Sequence, residues 1–308
     1  MMHNINHHGL YFGPQAVQRA QKHRQRAPFA DAFATLQAHQ ADNALEQAIA
    51  SGTRYRFLND DDAARQAVNL LTTDILGHAA ADMSVLDQCT HLLATCQAIE
   101  LVRDHLAGAN AEWQNAFKQQ VKATQELVVS DDDLLGLIWQ ATSVMGASIV
   151  TEDEARFEGT VEAFKRVIEQ EIHPEGYLPR LVENSQEGAL KRQVLAAQAL
   201  SLMAEMAAQV GTDLWGYEVR GISVKTPAIY AAAYYEYRET WPWDEPPSEQ
   251  ENEAFYQQHA GFLEFLNRQL RPVVLKETLE KLRPLYSPVG GFTTLSHGIP
   301  ARRGLFGF

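Results

Sequence analysis

Glu187-Gly-Ala-Leu-Lys-Arg-Gln-Val-Leu-Ala-Ala-Gln-Ala-Leu-Ser-Leu-Met-Ala-Glu-Met-Ala-Ala-Gln-Val210 is the stretch that decides the fold. It is dominated by Ala, Leu, Met and Gln, all strong helix formers. It is too long for a strand, and it stops at Gly211, the residue type suited to the left-handed position just past a helix. Working outward, the same pattern recurs. Phe29 to Ile49 carries Phe29, Phe33 and Leu36 at helical spacing. Asp60-Asp61-Asp62 precedes an apolar stripe of Ala67, Leu70, Leu71 and Ile75, with acids where a helix N-terminus favours them. Ser84 to Leu106 begins on an N-cap residue type. Helices over Trp113 to Leu127 and Asp131 to Val150 follow, and Glu154 to Glu171 ends at the breaker His173-Pro174-Glu175-Gly176. Thr226-Pro227 opens a further helix, Trp241 to Pro247 reads as a rigid loop, and Phe255 to Leu282 resumes helix with an interruption near Pro272. Only Gly290 to Ser296 has the Thr, Phe and Leu content of a short strand. The reading is all-α with negligible sheet: antiparallel helical hairpins joined by short loops. Without a tight repeat, an α/α toroid fits better than a solenoid. No linker of flexible composition appears, so residues 1–308 are read as a single domain.

Composition narrows the function. Of 308 residues, 45% are hydrophobic and 21% charged, which excludes a disordered or fibrous chain. The 26 Lys and Arg against 39 Asp and Glu give a net charge of −13, a field that repels nucleic acid and anionic lipid. A polyanionic ligand would need a locally basic cleft. No uninterrupted run of roughly 18 apolar residues occurs, so no membrane span is expected. The first residues, Met-Met-His-Asn-Ile-Asn-His-His, have no apolar run behind a basic flank and read as no signal peptide, hence a cytoplasmic chain or one already processed. Cys89 and Cys96 are seven residues apart on one helix, about 10 Å, too far for a disulfide. Neither a CxxC nor an HExxH motif is present, and no metal or obligatory cofactor is expected.

Several segments fall in a familiar order. Thr151-Glu-Asp-Glu-Ala-Arg-Phe is followed by Tyr177-Leu-Pro-Arg, then by Ala204-Glu-Met-Ala and Gly211-Thr-Asp-Leu-Trp-Gly-Tyr. Lys225, Tyr230 and Tyr234 come next, and then Arg283-Pro-Leu-Tyr-Ser-Pro-Val-Gly-Gly with Thr293-Thr-Leu. His8-Gly-Leu-Tyr-Phe and the helix from His91 to Arg103 also fit. This order resembles the alginate-lyase-like polysaccharide lyases, which include mannuronate and glucuronan lyases. The resemblance implies an incomplete (α/α) toroid with a long cleft, and cleavage of uronate polymers by β-elimination. Its partner would be an acidic polysaccharide or oligosaccharide.

That chemistry needs a neutralised uronate carboxylate, a base for the C5 proton and an acid for the leaving oxygen. Such lyases place an Asn and His on the helix before the Asp-Glu turn, and a His or Tyr on the helix after the Leu-Pro loop. Here the corresponding positions are Leu135 and Gly136, and then Lys191 and Arg192. The resemblance therefore carries the fold further than the activity, and a non-catalytic glycan- or partner-binding protein is the alternative.

The candidate catalytic residues are Tyr234, Tyr230 and Arg192. The candidate substrate-binding residues are Lys191, Glu183, Arg220, Lys225, Tyr217, His91 and Tyr55. Tyr230 and Tyr234 share a helix face at i, i+4, where Arg220 or Lys225 would lower a phenol's pKa or hold a carboxylate. Packing between helices is the plainer use of such tyrosines. Glu183, Asn184, Lys191 and Arg192 read as a cleft wall or as a solvated helix start. His91 reads as a cleft residue or a satisfied core histidine. His3, His7 and His8 form a loose metal-capable cluster or an unstructured terminus, and Arg302-Arg303 a cleft charge or a tail. Asp131-Asp132-Asp133 with Asn184 to Glu187 loosely matches the Mg²⁺-binding pair of all-α terpene cyclases. Helix capping explains the triplet without a metal.

Overall fold

The computed structural model describes residues 7–76, 83–109, 112–183 and 188–301; Asn184, Glu187, His3, Arg302 and Arg303 lie outside them. The chain begins with α1 (Pro14–Lys22) and α2 (Phe29–Ala38). Four long helices then alternate with four partners. They are α3 (Ala44–Leu58) with α4 (Asp61–Leu70), α5 (Val85–Leu106) with α6 (Glu112–Gln125), and α7 (Leu134–Thr151) with α8 (Glu154–Gln170). After the short α9 (Pro179–Val182), α10 (Ala189–Gln209) is followed by the ladder β1 (Glu218–Val219) and β2 (Ile222–Ser223) and by its partner α11 (Lys225–Glu236). The chain closes with α12 (Glu249–His259), α13 (Phe262–Leu270), α14 (Val274–Leu282) and α15 (Thr293–His297). Contacts run α3–α5–α7–α10–α13–α15–α1 and back to α3, an inner ring, with α4, α6, α8 and α11 packed outside it. This is the helical toroid expected.

Caps place the helices. Asn43, Asp60, Ser84, Asp133 and Asp153 each accept a backbone N–H of the first turn with their side chains. The acidic triplets thus serve helix starts. Gly211 adopts φ +86° past α10, where Thr212 N–H bonds Ala207 O at 2.9 Å. The ring is tight because two inner glycines allow close approach. A Cβ on Gly146 would meet Leu93 Cδ1 at 2.8 Å, and one on Gly52 would meet Leu101 Cβ at 2.7 Å. Cys89 and Cys96 are buried and unpaired.

Three expectations change. Phe29 to Ile49 is two helices, because Asn43 caps a new start at Ala44. Gly290 to Ser296 is not a strand: a single bridge joins Ser287 to Gly291, and Thr293 to His297 turn into α15. Finally, α7 has a mean hydropathy of 1.5 over 18 residues, long and apolar enough by composition to cross a membrane. Its interspersed Gln140, Thr142, Ser143 and Ser148 hid this from a search for an unbroken apolar run. In the ring, 72% of it is buried, between α5, α8 and α10.

At the end of the ring formed by the inner helices' C-termini, a buried chain of polar groups joins α10 to α15. His297 Nε2 lies 3.0 Å from Glu205 Oε1, and Trp215 donates its indole N–H to Glu205 Oε2 at 3.0 Å. Burial pushes the Glu205 carboxyl up, but His297, Trp215 and Arg268 outweigh it and hold the acid below its ordinary value. A depressed carboxyl contributes stability above its unfolded pKa and loses it as pH falls through the folded value. Glu205→Gln should therefore cost about 1–3 kcal/mol at neutral pH, with the difference from wild type shrinking under acid. Thermal melts of both proteins across pH check this. Gly146→Leu should cost about 1–3 kcal/mol by overpacking, read as a lower denaturation midpoint.

Candidate functional site

The inner helices run parallel. Arg56 of α3 reaches Asp104 near the end of α5 at 3.0 Å, and Arg103 of α5 donates to Val150 O near the end of α7 at 2.7 Å. Their N-termini consequently open at one end of the ring, where the helix dipoles present partial positive charge.

At that end α10 begins without a capping side chain of its own. The loop after α11 supplies one. Asp244 Oδ2 accepts Ala189 N–H at 2.9 Å, and its Oδ1 accepts Trp241 Nε1–H at 2.6 Å. One carboxylate thereby fastens the tryptophan loop to the helix that carries Lys191 and Arg192. Gln193 fastens the other side: its Oε1 accepts Leu178 N–H at 3.0 Å and its Nε2 donates to Gly176 O at 3.1 Å. Between these fixings lies an aromatic group. Tyr177 and Trp243 rings stand 4.8 Å apart, Tyr234 and Trp241 4.8 Å, and Tyr230 and Tyr234 5.0 Å. Trp243 donates its indole N–H to the Tyr230 hydroxyl at 3.4 Å. His173 stacks on Tyr177 at 4.4 Å.

Burial, reinforced by the Tyr234 hydroxyl, pushes the Tyr230 phenol well above its ordinary pKa, with Trp243 opposing. The shift favours the protonated phenol, which can donate a hydrogen bond at neutral pH. Burial, then the carboxylates of Glu183 and Glu175, also push Tyr177 upward. Glu183 thus sits beside the aromatic group. Lys191 and Arg192 are exposed. Lys191 Nζ lies 5.8 Å from the Phe255 ring centre, and the Arg192 guanidinium has no hydrogen bond or ion pair among the described residues.

The structure therefore packs Tyr230 against Tyr234 and sets Glu183 near Tyr177, while Lys191 and Arg192 stand on the first turn of α10, the helix fastened to this group, with Lys191 turned to Phe255 of α12. It separates the others. Tyr217 donates to the Glu169 carboxylate and Arg220 to Glu169 O at 2.5 Å, forming a second cluster on the last turn of α8. No ring contact or hydrogen bond among the described residues joins it to Tyr230. Lys225, half-buried, is the first residue of α11, five residues before Tyr230. His91 lies at the N-terminal end of α5 in a separate cavity of about 600 Å³ with Glu46, Asp74 and Asp87 and, among the described residues, no Lys or Arg in its wall. Burial holds its imidazole below the ordinary pKa. Tyr55 is at the opposite end, donating to Asp104 at 2.5 Å. His7, instead of fraying, lies 2.9 Å from Glu100 and 3.3 Å from Glu152. Among the described residues no group of three or more His, Cys, Asp or Glu side chains is placed to hold a metal.

Asp244, Gln193, Trp241 and Trp243 were not singled out as site residues from sequence. The density of Trp-Pro-Trp-Asp was the available signal for three of them; Gln193 gives none, being one amide in an Ala-rich helix. Leu135 and Gly136 sit at the start of α7. Gly136 N–H bonds the Asp133 side chain at 3.0 Å, and a Cβ there would meet Asp133 Oδ2 at 2.4 Å. That position has no room for a larger residue without displacing the cap.

The family model described as alginate lyase matches residues 6–241. Among solved structures, a substituted form of alginate lyase A1-III complexed with tetrasaccharide is similar at TM-score 0.72 and 13% identity, covering 97% of this chain and 99% of that one. Alginate lyase A1-III from Sphingomonas species A1 gives 0.68, 13%, 97% and 99% respectively. An alginate lyase from Bacteroides ovatus gives 0.69, 13%, 96% and 99%. No curated protein matches the sequence. At such identities the structural likeness establishes the fold.

Asp244→Ala removes a cap and an indole acceptor together. It should cost about 1 kcal/mol and alter the tryptophan emission, whereas Glu245→Ala, in the same loop, should leave both unchanged.

Proposed function

The chain belongs to the alginate lyase family, and from that premise we propose that it binds a uronate-containing oligosaccharide or polysaccharide at the N-terminal end of its inner helices. One observation carries the reading: the group Tyr177, Tyr230, Tyr234, Trp241 and Trp243 is fastened through Asp244 to the helix that presents Lys191 and Arg192. Aromatic faces pack against the apolar faces of sugar rings, and the two cations, with the helix termini, favour carboxylates. The solved relatives complexed with tetrasaccharide agree with a saccharide ligand. In an acidic protein the electrostatic part of that affinity must come from local charge, so binding should weaken with added salt.

Elimination by the family's route is not part of the proposal. Leu135 and Gly136 carry no proton-transfer group, and Arg192 is a permanent cation. Tyr230 is a candidate acid, and among the described residues no carboxylate or imidazole lies within hydrogen-bond distance of its hydroxyl. Binding needs only the cations and rings, whereas turnover needs a positioned base as well.

Calorimetric titration of the whole chain with oligomers of mannuronan, guluronan and glucuronan tests this. Binding of at least one of them is expected, weakened about tenfold by Trp243→Ala or Arg192→Ala, each a loss near 1.4 kcal/mol. Ultraviolet absorbance of the unsaturated uronate should stay flat. Growth of that absorbance with protein concentration would establish a lyase instead, and no binding to any uronan would end the proposal.

A further inference from the structure

A second cavity, of 540 Å³, lies between α7 and α8 over α10, away from the tryptophan loop. Its walls are mostly apolar: Leu137, Ala141 and Val144 on one side, Ala163 and Val167 on the other, with Leu200 and Met203 below. From Leu134 to Val144 the wall spans roughly 15 Å of helix, the reach of a medium-length alkyl chain. The volume falls within the range of small-molecule sites, about 300–1,000 Å³.

Charge is unevenly distributed along the wall. Arg166, Arg180, Glu171 and Asp131 are its charged residues, whereas Val144, Gly159 and Thr160 at the far end carry none, and Gln125 and Gln140 add neutral amides between. Arg180 donates to Glu171 at 2.9 Å and to Asp131 O, so its charge is balanced within the wall. Arg166 is exposed and makes no hydrogen bond or ion pair among the described residues. Asp131 leaves an exposed carboxylate nearby.

Gly159 supplies an independent observation. It lies inside α8, where glycine weakens a helix. Sterics do not require it, because an added Cβ would meet nothing within 4 Å. Gly159 is exposed and lines the far end of the cavity, where a larger side chain would have room to enter it.

We infer that this cavity binds an alkyl carboxylate, its chain along α7 and α8 and its head at Arg166. Titration of the whole chain with sodium dodecanoate, followed by calorimetry and native mass spectrometry, should show one molecule bound. Ala163→Trp should fill the cavity and weaken binding at least about tenfold. Gly159→Leu should do the same while raising the thermal midpoint, so loss of binding cannot be laid to misfolding. Arg166→Gln should weaken dodecanoate severalfold, Asp131→Asn should strengthen it, and neither should change binding of dodecanol. No binding, binding of many equivalents, or equal affinity in wild type and both filled variants would overturn the inference.

Discussion

The close approach of α5, α7 and α10 at Gly146 is the constraint on which the rest depends. A helix carrying any larger residue there would stand off from Leu93, Cys96 and Met206, and packing of this density tolerates little displacement. With Gly52 performing the same service between α3 and α5, four long helices run side by side in one direction. Their connections must then cross outside as α4, α6 and α8, which is what makes the molecule a ring of helix pairs. The parallel inner course also gathers the helix N-termini at one end, and an anion-favouring surface results before any side chain is counted.

The proposed function rests on what is fastened to that end. Asp244 and Gln193 act as brackets, one holding the tryptophan loop to α10 and the other holding the Gly176–Leu178 turn. Because both are tied to α10, Lys191 and Arg192 and the aromatic group keep a fixed relation to each other. The acidic cavity around His91 lies at the same end of α5 and bears the opposite charge. The proposed carboxylate ligand would thus be drawn toward α10 and away from α5.

Much of the fold was legible in sequence because its signals are local. Asp60, Ser84 and Asp133 announce helix starts, Gly211 announces an end, and the Ala, Leu and Met content of α10 leaves little choice of conformation. The misread tail has a physical cause: Thr293, Thr294 and Leu295 favour strands in isolation, yet they are buried against α13 and α1, where a short helix packs. The site was harder. Tyr230 and Tyr234 were visible from helical spacing, but their partners Trp241, Trp243 and Tyr177 arrive from other segments. Tyr55 stands at the other end of the ring and His91 in a separate cavity, because sequence gives a residue's helix but neither the end of the ring it occupies nor the cavity it faces. The resemblance pointed to the family, while Leu135, Gly136 and Arg192 already marked where this chain departs from the family's chemistry.

The central claim is that a uronate glycan lies against the tryptophan loop at the start of α10. A crystal structure of the chain with an acidic tetrasaccharide tests it most directly. The account predicts a sugar ring packed on Trp243 or Tyr230 with a carboxylate within reach of Arg192. A tetrasaccharide seated instead in the cavity beside His91, or at the opposite end near Tyr55 and Glu205, would contradict it.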